Sequence, residues 1–213
     1  MSETTFFDVT LLTAPGRVMT PRRATEQLVS AAAERIAGRP ARVADVGTGS
    51  GAIAVNLARV APEAEIWASD HSAAAVLLAR ANAHRLGVAD RVHVFKGDLL
   101  EPLPAELDLV VANLPYLPER DRSRYPDLVT EPDLAIFAPG DGLGLYRRLL
   151  SSAEERLLPT GAAMIQLHRK VFVAEHAQLA ELRARLQELV PDAALPLDER
   201  LPLREPAALG ALA

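Results

Sequence analysis

The tetrapeptide Asn113-Leu114-Pro115-Tyr116 directly follows an apolar run, Leu107-Asp108-Leu109-Val110-Val111-Ala112, with the length and composition of a buried strand. The Asn side-chain oxygen and the Leu114 carbonyl supply two hydrogen-bond acceptors, Pro115 stiffens the turn, and Tyr116 offers a ring for stacking. Such a set can hold a planar amide or amine by its N–H groups. Asn113, Leu114, Pro115 and Tyr116 are therefore the candidate catalytic residues, and the chemistry they suggest is group transfer to nitrogen. Because the carbonyl of Leu114 rather than its side chain is the functional group, proline at this position is expected to be tolerated.

A second constellation lies upstream in Val43-Ala44-Asp45-Val46-Gly47-Thr48-Gly49-Ser50-Gly51-Ala52, which reads as a strand, a glycine-rich turn and a helix start. Glycines at alternate positions allow positive φ and let the backbone lie against a ligand. The turn alone is ambiguous, since Gly47-x-Gly49-x-x-Ala52 also fits the dinucleotide fingerprint. The acids around it narrow the choice. Asp45 ends the strand and can meet an amino group; Asp70, about 20 residues on, is placed for a ribose diol; Asp98, after Phe95-Lys96-Gly97, can accept from an adenine amine. A pyrophosphate needs only the helix N-terminus, whereas a sulfonium with an amino acid tail gains from an acid beside the loop. Three acids at three successive strand ends favour S-adenosyl-L-methionine. The candidate cofactor residues are Asp45, Gly47, Thr48, Gly49, Gly51, Asp70, His71, Asp98, Leu99 and Asn113.

These groups must be positioned by regular elements, and the pattern supplies them. Thr13-Ala14-Pro15-Gly16 is a turn signal between the extended pieces Val9 to Leu12 and Arg17 to Met19, which predicts a small hairpin. Thr20-Pro21 then predicts a helix start, with the helix running to Ile36-Ala37 and stopping at Gly38. Strands are expected near 42–46, 64–69, 91–95, 107–112 and 162–168, with helices near 51–60, 72–86, 142–157 and 173–190, and a final strand around Leu195 to Leu203. Alternation at this spacing implies an α/β fold with a mostly parallel sheet covered on both faces. The glycine turn, Asp70, Asp98 and Asn113 all fall beyond the carboxyl ends of strands, where such sheets bind ligands. The Pro-rich, charged stretch from Leu117 to Gly140 is too long for an ordinary connection and reads as a substrate loop. Arg120, Arg122 and Arg124 make it locally basic.

The 213 residues, 49% of them hydrophobic, suffice for one domain: a hairpin and helix over 1–38, then a core over 39–213. A net charge of −5 argues against a broad nucleic-acid footprint. The absence of cysteine excludes disulfides, thiolate zinc sites and cysteine nucleophiles. The five histidines are scattered without metal-ligand spacing, so no metal site is expected. No apolar run approaches membrane-spanning length and the N-terminus lacks a basic leader, so a cytoplasmic protein is expected.

Taken together, Thr20-Pro21-Arg22 with Thr25-Glu26, the stretch Asp45 to Ala54, Gly97-Asp98, the Asn113 tetrapeptide, Glu131-Pro132 and Gly140-Asp141-Gly142-Leu143-Gly144-Leu145-Tyr146-Arg147 resemble the HemK-type release-factor glutamine methyltransferases. The match runs from about Met19 to about Gly161. It implies a Rossmann-like class I methyltransferase with a mostly parallel seven-stranded sheet, S-adenosylmethionine as cofactor, and a glutamine amide of a release factor as acceptor. That family ordinarily carries Asn-Pro-Pro-Tyr, and Leu114 stands in the second position here. The resemblance is to a short form without the family's N-terminal helical domain, some of whose members use a small partner subunit. Glu131-Pro132 and Tyr146 read equally as anchors of the long loop. A small-molecule or RNA amine acceptor at the same site, and a non-catalytic scaffold that binds S-adenosylmethionine, are the alternative readings.

Overall fold

A computed structural model describes residues 1–128, 130–189 and 207–208. The chain opens with β1 (Ser2–Phe6) and β2 (Val9–Thr13), an antiparallel pair closed between Phe6 and Val9. The hairpin therefore lies earlier than the expected one. Pro15 lacks a donor and cannot extend a ladder, and Arg17 and Val18 instead donate their N–H groups to the Ala14 carbonyl. Helix α1 (Glu26–Ile36) starts later than Thr20-Pro21 predicts, after a short 3-10 turn over Arg23–Thr25. The cause is local: the Thr20 N–H is taken by the Glu131 carboxylate, and Arg22 is extended at φ −111°.

From there strand and helix alternate as β3 (Ala41–Val46), α2 (Ala52–Val60), β4 (Ala64–Asp70), α3 (Ala73–Arg85), β5 (Val92–Lys96) and β6 (Leu107–Ala112). The loop that follows carries a two-residue parallel pair, β7 (Leu117–Pro118) and β8 (Phe137–Ala138), and its own small core of Leu117, Tyr125, Leu128, Ile136 and Phe137. The exposed arginines of the loop pair within it: Arg122 with Asp133, while stacking over Phe137, and Arg124 with Asp121. Then come α4 (Gly144–Arg156), β9 (Leu157–Leu167), β10 (Lys170–Glu175), α5 (Leu179–Leu189) and β11 (Ala207–Ala208). Residues 170–175 correct the expected helix from 173: Lys-Val-Phe-Val-Ala-Glu pairs antiparallel with β9, sending Val171 and Val173 to one core and Phe172 and Ala174 to the other, and the helix begins only at Leu179. The strand expected around 195–203 lies outside the described residues.

Among the described residues the main sheet has seven strands in the order β11-β10-β9-β6-β3-β4-β5, parallel except between β9 and β10. Side chains alternate across it. Val43, Ile66, Leu109, Val111 and Met164 face a core shared with α1, α2 and α3, while Ala44, Val110, Ala112 and Ile165 face one shared with α4 and α5. With both faces covered, the central strands are largely apolar, as in Leu109 to Ala112 of β6 and Ala162 to Ile165 of β9, which is why they were legible as runs. The chain leaves β3 toward β4 and β5, then returns to β3's other side at β6, so a crevice opens between the ends of β3 and β6. No described helix is long and apolar enough to cross a membrane.

Candidate active site

The glycine turn spans the crevice at the end of β3. Gly47, Gly49 and Gly51 have φ of +74°, +57° and +81°, which a side chain tolerates poorly. Their surroundings differ. A Cβ on Gly47 would lie 2.6 Å from Leu114 Cδ2, and one on Gly51 would meet the Ala79 backbone of α3 at 3.1 Å. At Gly49 the nearest atom would be Val18 Cγ1 at 3.9 Å, so this glycine alone leaves room for a ligand.

Asp45 lies wholly buried beneath the turn. Its Oδ2 accepts from Thr48 Oγ1 at 2.6 Å and from the Ala54 N–H at 3.1 Å, pinning the turn to the start of α2. Its Oδ1 is buried without a partner. Burial, opposed in part by those two bonds and helped by nearby Asp70, pushes its pKa up to about 7. A carboxyl whose folded pKa exceeds its unfolded value holds its proton longer in the native state, so its contribution to stability is lost as pH rises from about 4 through about 7. The ligand-free protein is therefore expected to lose stability between pH 5 and pH 8, and Asp45→Asn to shrink that loss. Urea melts of both proteins at the two pH values measure this; equal losses would mean that the carboxyl ionises freely.

Asp70 closes β4. Its Oδ1 accepts the Ser72 N–H at 2.8 Å and its Oδ2 the Gly49 N–H at 2.9 Å, so it fixes the turn from above and keeps further lone pairs for a ligand. Burial raises its pKa, and the two backbone bonds oppose the rise. His71 beside it is exposed. Asp98 follows β5 and pairs with Arg148 of α4, an assignment absent from the sequence reading. Leu99 has φ +48°, uncommon outside glycine, and its carbonyl accepts from Ser69 Oγ at 2.6 Å.

At the end of β6, Asn113 is half-exposed and its Nδ2 donates to Thr25 Oγ1 at 3.1 Å. Thr25, buried just ahead of α1, thereby fixes which way the amide points and leaves the Asn113 oxygen to accept. Leu114 turns to the other face, where its branch covers Gly47. Its N–H donates to the Tyr146 hydroxyl at 2.9 Å, and that hydroxyl donates to the Gln166 carbonyl at 2.6 Å, clamping the tetrapeptide to β9. Proline at 114 would delete both this donor and that branch, so the expected tolerance does not hold in this chain. Tyr146→Phe strands the Leu114 N–H and the Gln166 carbonyl in a dry core; a loss of roughly 2 kcal/mol or more is expected in urea melts. A variant as stable as the parent would show the clamp to be dispensable. Tyr116 is largely covered, and burial pushes its pKa up to about 12.

The structure thus brings Asp45, Gly47, Thr48, Gly49, Gly51, Asp70, Asn113 and Leu114 to one crevice. Asp98 and Leu99 lie at the next strand end along the same edge. The fold itself has solved counterparts. A ribosomal protein L11 methylase from Lactobacillus delbrueckii subsp. bulgaricus superposes with a TM-score of 0.53 at 23% identity, over 79% of this chain and 69% of that one. Residues 20–130 match the pattern of the methyltransferase small domain.

The chain belongs to the methyltransferase small domain family.

Within that family, similar curated proteins are the release factor glutamine methyltransferases of Bordetella pertussis and Moorella thermoacetica, 46% and 43% identical over 153 residues. Each alignment takes in 70% of this chain but only 56% and 54% of the relative, so the chain spans about half the length of the relatives it matches. The methyltransferase small domain match ends inside the long loop. Thr25 and Tyr146 hold the tetrapeptide in place, and the sequence reading gave neither a site role. Their only sequence signal was membership of the motifs around Thr25-Glu26 and Asp141-Gly142.

Proposed function

We propose that the chain is an S-adenosylmethionine-dependent N-methyltransferase whose acceptor is a glutamine side-chain amide of a peptide-chain release factor. The observation that carries this reading is the fixed amide of Asn113, held by Thr25 with its oxygen free, beside the one open glycine of the turn. The similarity to release factor glutamine methyltransferases supports the acceptor class. When bound, S-adenosylmethionine supplies an electrophilic methyl on a sulfonium. Gly47 to Gly51 and Asp70 would hold it, with Asp45 keeping the turn in shape from below.

The chain's own part is orientation. An amide nitrogen is a poor nucleophile because its lone pair is delocalised. The Asn113 oxygen and the Leu114 carbonyl accept its two hydrogens, which holds the nitrogen in line for attack and stabilises positive charge as it develops there. Tyr116, neutral across the physiological range, walls the amide's flat side. No general base is needed at Asn113, since the acidified proton leaves after transfer.

Labelled S-adenosylmethionine incubated with purified release factor should place label on a glutamine of the factor. Label on RNA or on a small metabolite instead would overturn the acceptor, and repeating the reaction with added cell extract tests the need for a small partner subunit. For the cofactor, Asp70→Ala should weaken S-adenosylhomocysteine binding by about 1.5–3 kcal/mol, since it removes charged acceptors and releases the Gly49 N–H. Calorimetry reads this directly; unchanged affinity, or binding of NAD in its place, would remove the assignment.

A further inference from the structure

The turn between β9 and β10 stands at the same sheet edge as Asn113, one strand away, and holds features that the acceptor and cofactor assignments leave unexplained. Leu167 pairs with Lys170, so His168 and Arg169 make a two-residue hairpin turn. His168 has φ +55° at a position where such turns ordinarily place glycine, asparagine or aspartate. Its ring does not swing out to water. The side chain is half-buried, and Nε2 is buried without a hydrogen-bond partner. The ring meets Tyr116 edge to face, with centroids 5.0 Å apart and planes at 62°. From below, Gln166 Nε2 donates to the His168 carbonyl at 3.2 Å, so the strained turn is braced.

Glycine would relieve this turn, and a solvated side chain would spare the orphaned nitrogen. The chain bears both costs at a residue whose ring edge meets the ring of Tyr116. Strain and unmet polar groups that persist in this way cluster at working sites. Burial also holds the imidazole below its ordinary range, so the contact with Tyr116 is between two neutral rings.

We propose that His168 is a positioning residue for the methyl acceptor, fixing the plane of Tyr116 through its ring edge and thereby the wall on which the acceptor stacks. This rests on the reading of Asn113 to Tyr116 as the acceptor site. Three variants test it: His168→Gly removes the ring and relieves the turn, His168→Asn removes the ring in a residue that tolerates positive φ, and His168→Phe restores an aromatic edge. With purified release factor, the first two should raise KM for the factor roughly three- to tenfold, the range one aromatic contact supplies. The cofactor dissociation constant should not move, and His168→Phe should recover KM. His168→Gly should melt no lower than the parent, so affinity falls while stability does not. Wild-type KM in the Gly and Asn variants, or a KM rise that His168→Phe fails to recover, would overturn the proposal.

A second readout needs no acceptor. In protein carrying ring-labelled tyrosine, Tyr116 should show slow ring flipping by NMR that becomes fast in His168→Gly; unchanged flipping overturns the proposal. Were the parent enzyme to leave release factor unlabelled, the proposed acceptor would fall, while ring flipping would still decide whether His168 fixes Tyr116.

Discussion

Asn113→Ala should lower kcat on the true acceptor by at least about 10²-fold, the scale for losing one aligned electrostatic partner, while S-adenosylhomocysteine binds as before. The two effects separate because Asn113 reaches across the crevice toward Thr25, whereas the glycine turn is held by Asp45 and Asp70. Without the Asn113 oxygen, one amide hydrogen of the acceptor loses its partner and the nitrogen is free to rotate away from the methyl group. Thr25→Val gives the graded case. It keeps Asn113 but frees Nδ2 to turn, so kcat should fall less than in Asn113→Ala and cofactor binding should again hold. Single-turnover kinetics beside calorimetry check both variants. Full activity in Asn113→Ala would exclude the amide grip altogether. Full activity in Thr25→Val would leave the grip standing and remove only Thr25's part in it.

Thr25 also shows where reading the sequence reaches its limit. The central strands were legible because burial on both faces makes them largely apolar, and Asn113, Asp45 and Asp70 were legible because they stand at or beside the ends of those strands. A partner 88 residues away across a crevice leaves no such local signature. Tyr146 is the same case: its bonds to Leu114 and to the Gln166 carbonyl depend on how α4 and β9 pack, not on spacing. The errors at β1 and β10 have a different origin. Pro15-Gly16 gave a strong turn signal that drew the hairpin forward, while the real turn, Phe7-Asp8, holds Phe7 at φ +52° without any glycine to announce it. In β10, the expected helix from 173 took in Val173 and Ala174, whose neighbours show them to be strand: Val171 and Val173 face one core while Phe172 and Ala174 face the other.

Gly142→Ala should be the most destructive single methyl addition near the site. A Cβ there would lie 2.0 Å from the Tyr116 carbonyl oxygen and 2.8 Å from its carbon, both backbone atoms, at φ +86°. Neither side can yield cheaply. Tyr116 precedes β7 and follows the clamped Leu114, while Leu143 next to Gly142 is fully buried and Asp141 is tied to the Leu143 N–H and to Arg147. Left-handed strain and a backbone overlap together should cost roughly 3 kcal/mol or more. The neighbouring glycines are controls. Gly140 has φ +67° but open space, so alanine there should cost about 1 kcal/mol from conformation alone. Gly144 has open space, shows no positive φ and begins α4, so alanine there should be neutral or stabilising by up to about 1 kcal/mol. Urea melts of the three variants give the order directly. If Gly142→Ala fell no further than Gly140→Ala, the close approach of the Asp141-Gly142-Leu143 turn to Tyr116 would be wrong. The expected order means instead that this turn is what sets the acceptor's aromatic wall at its distance from the end of β6.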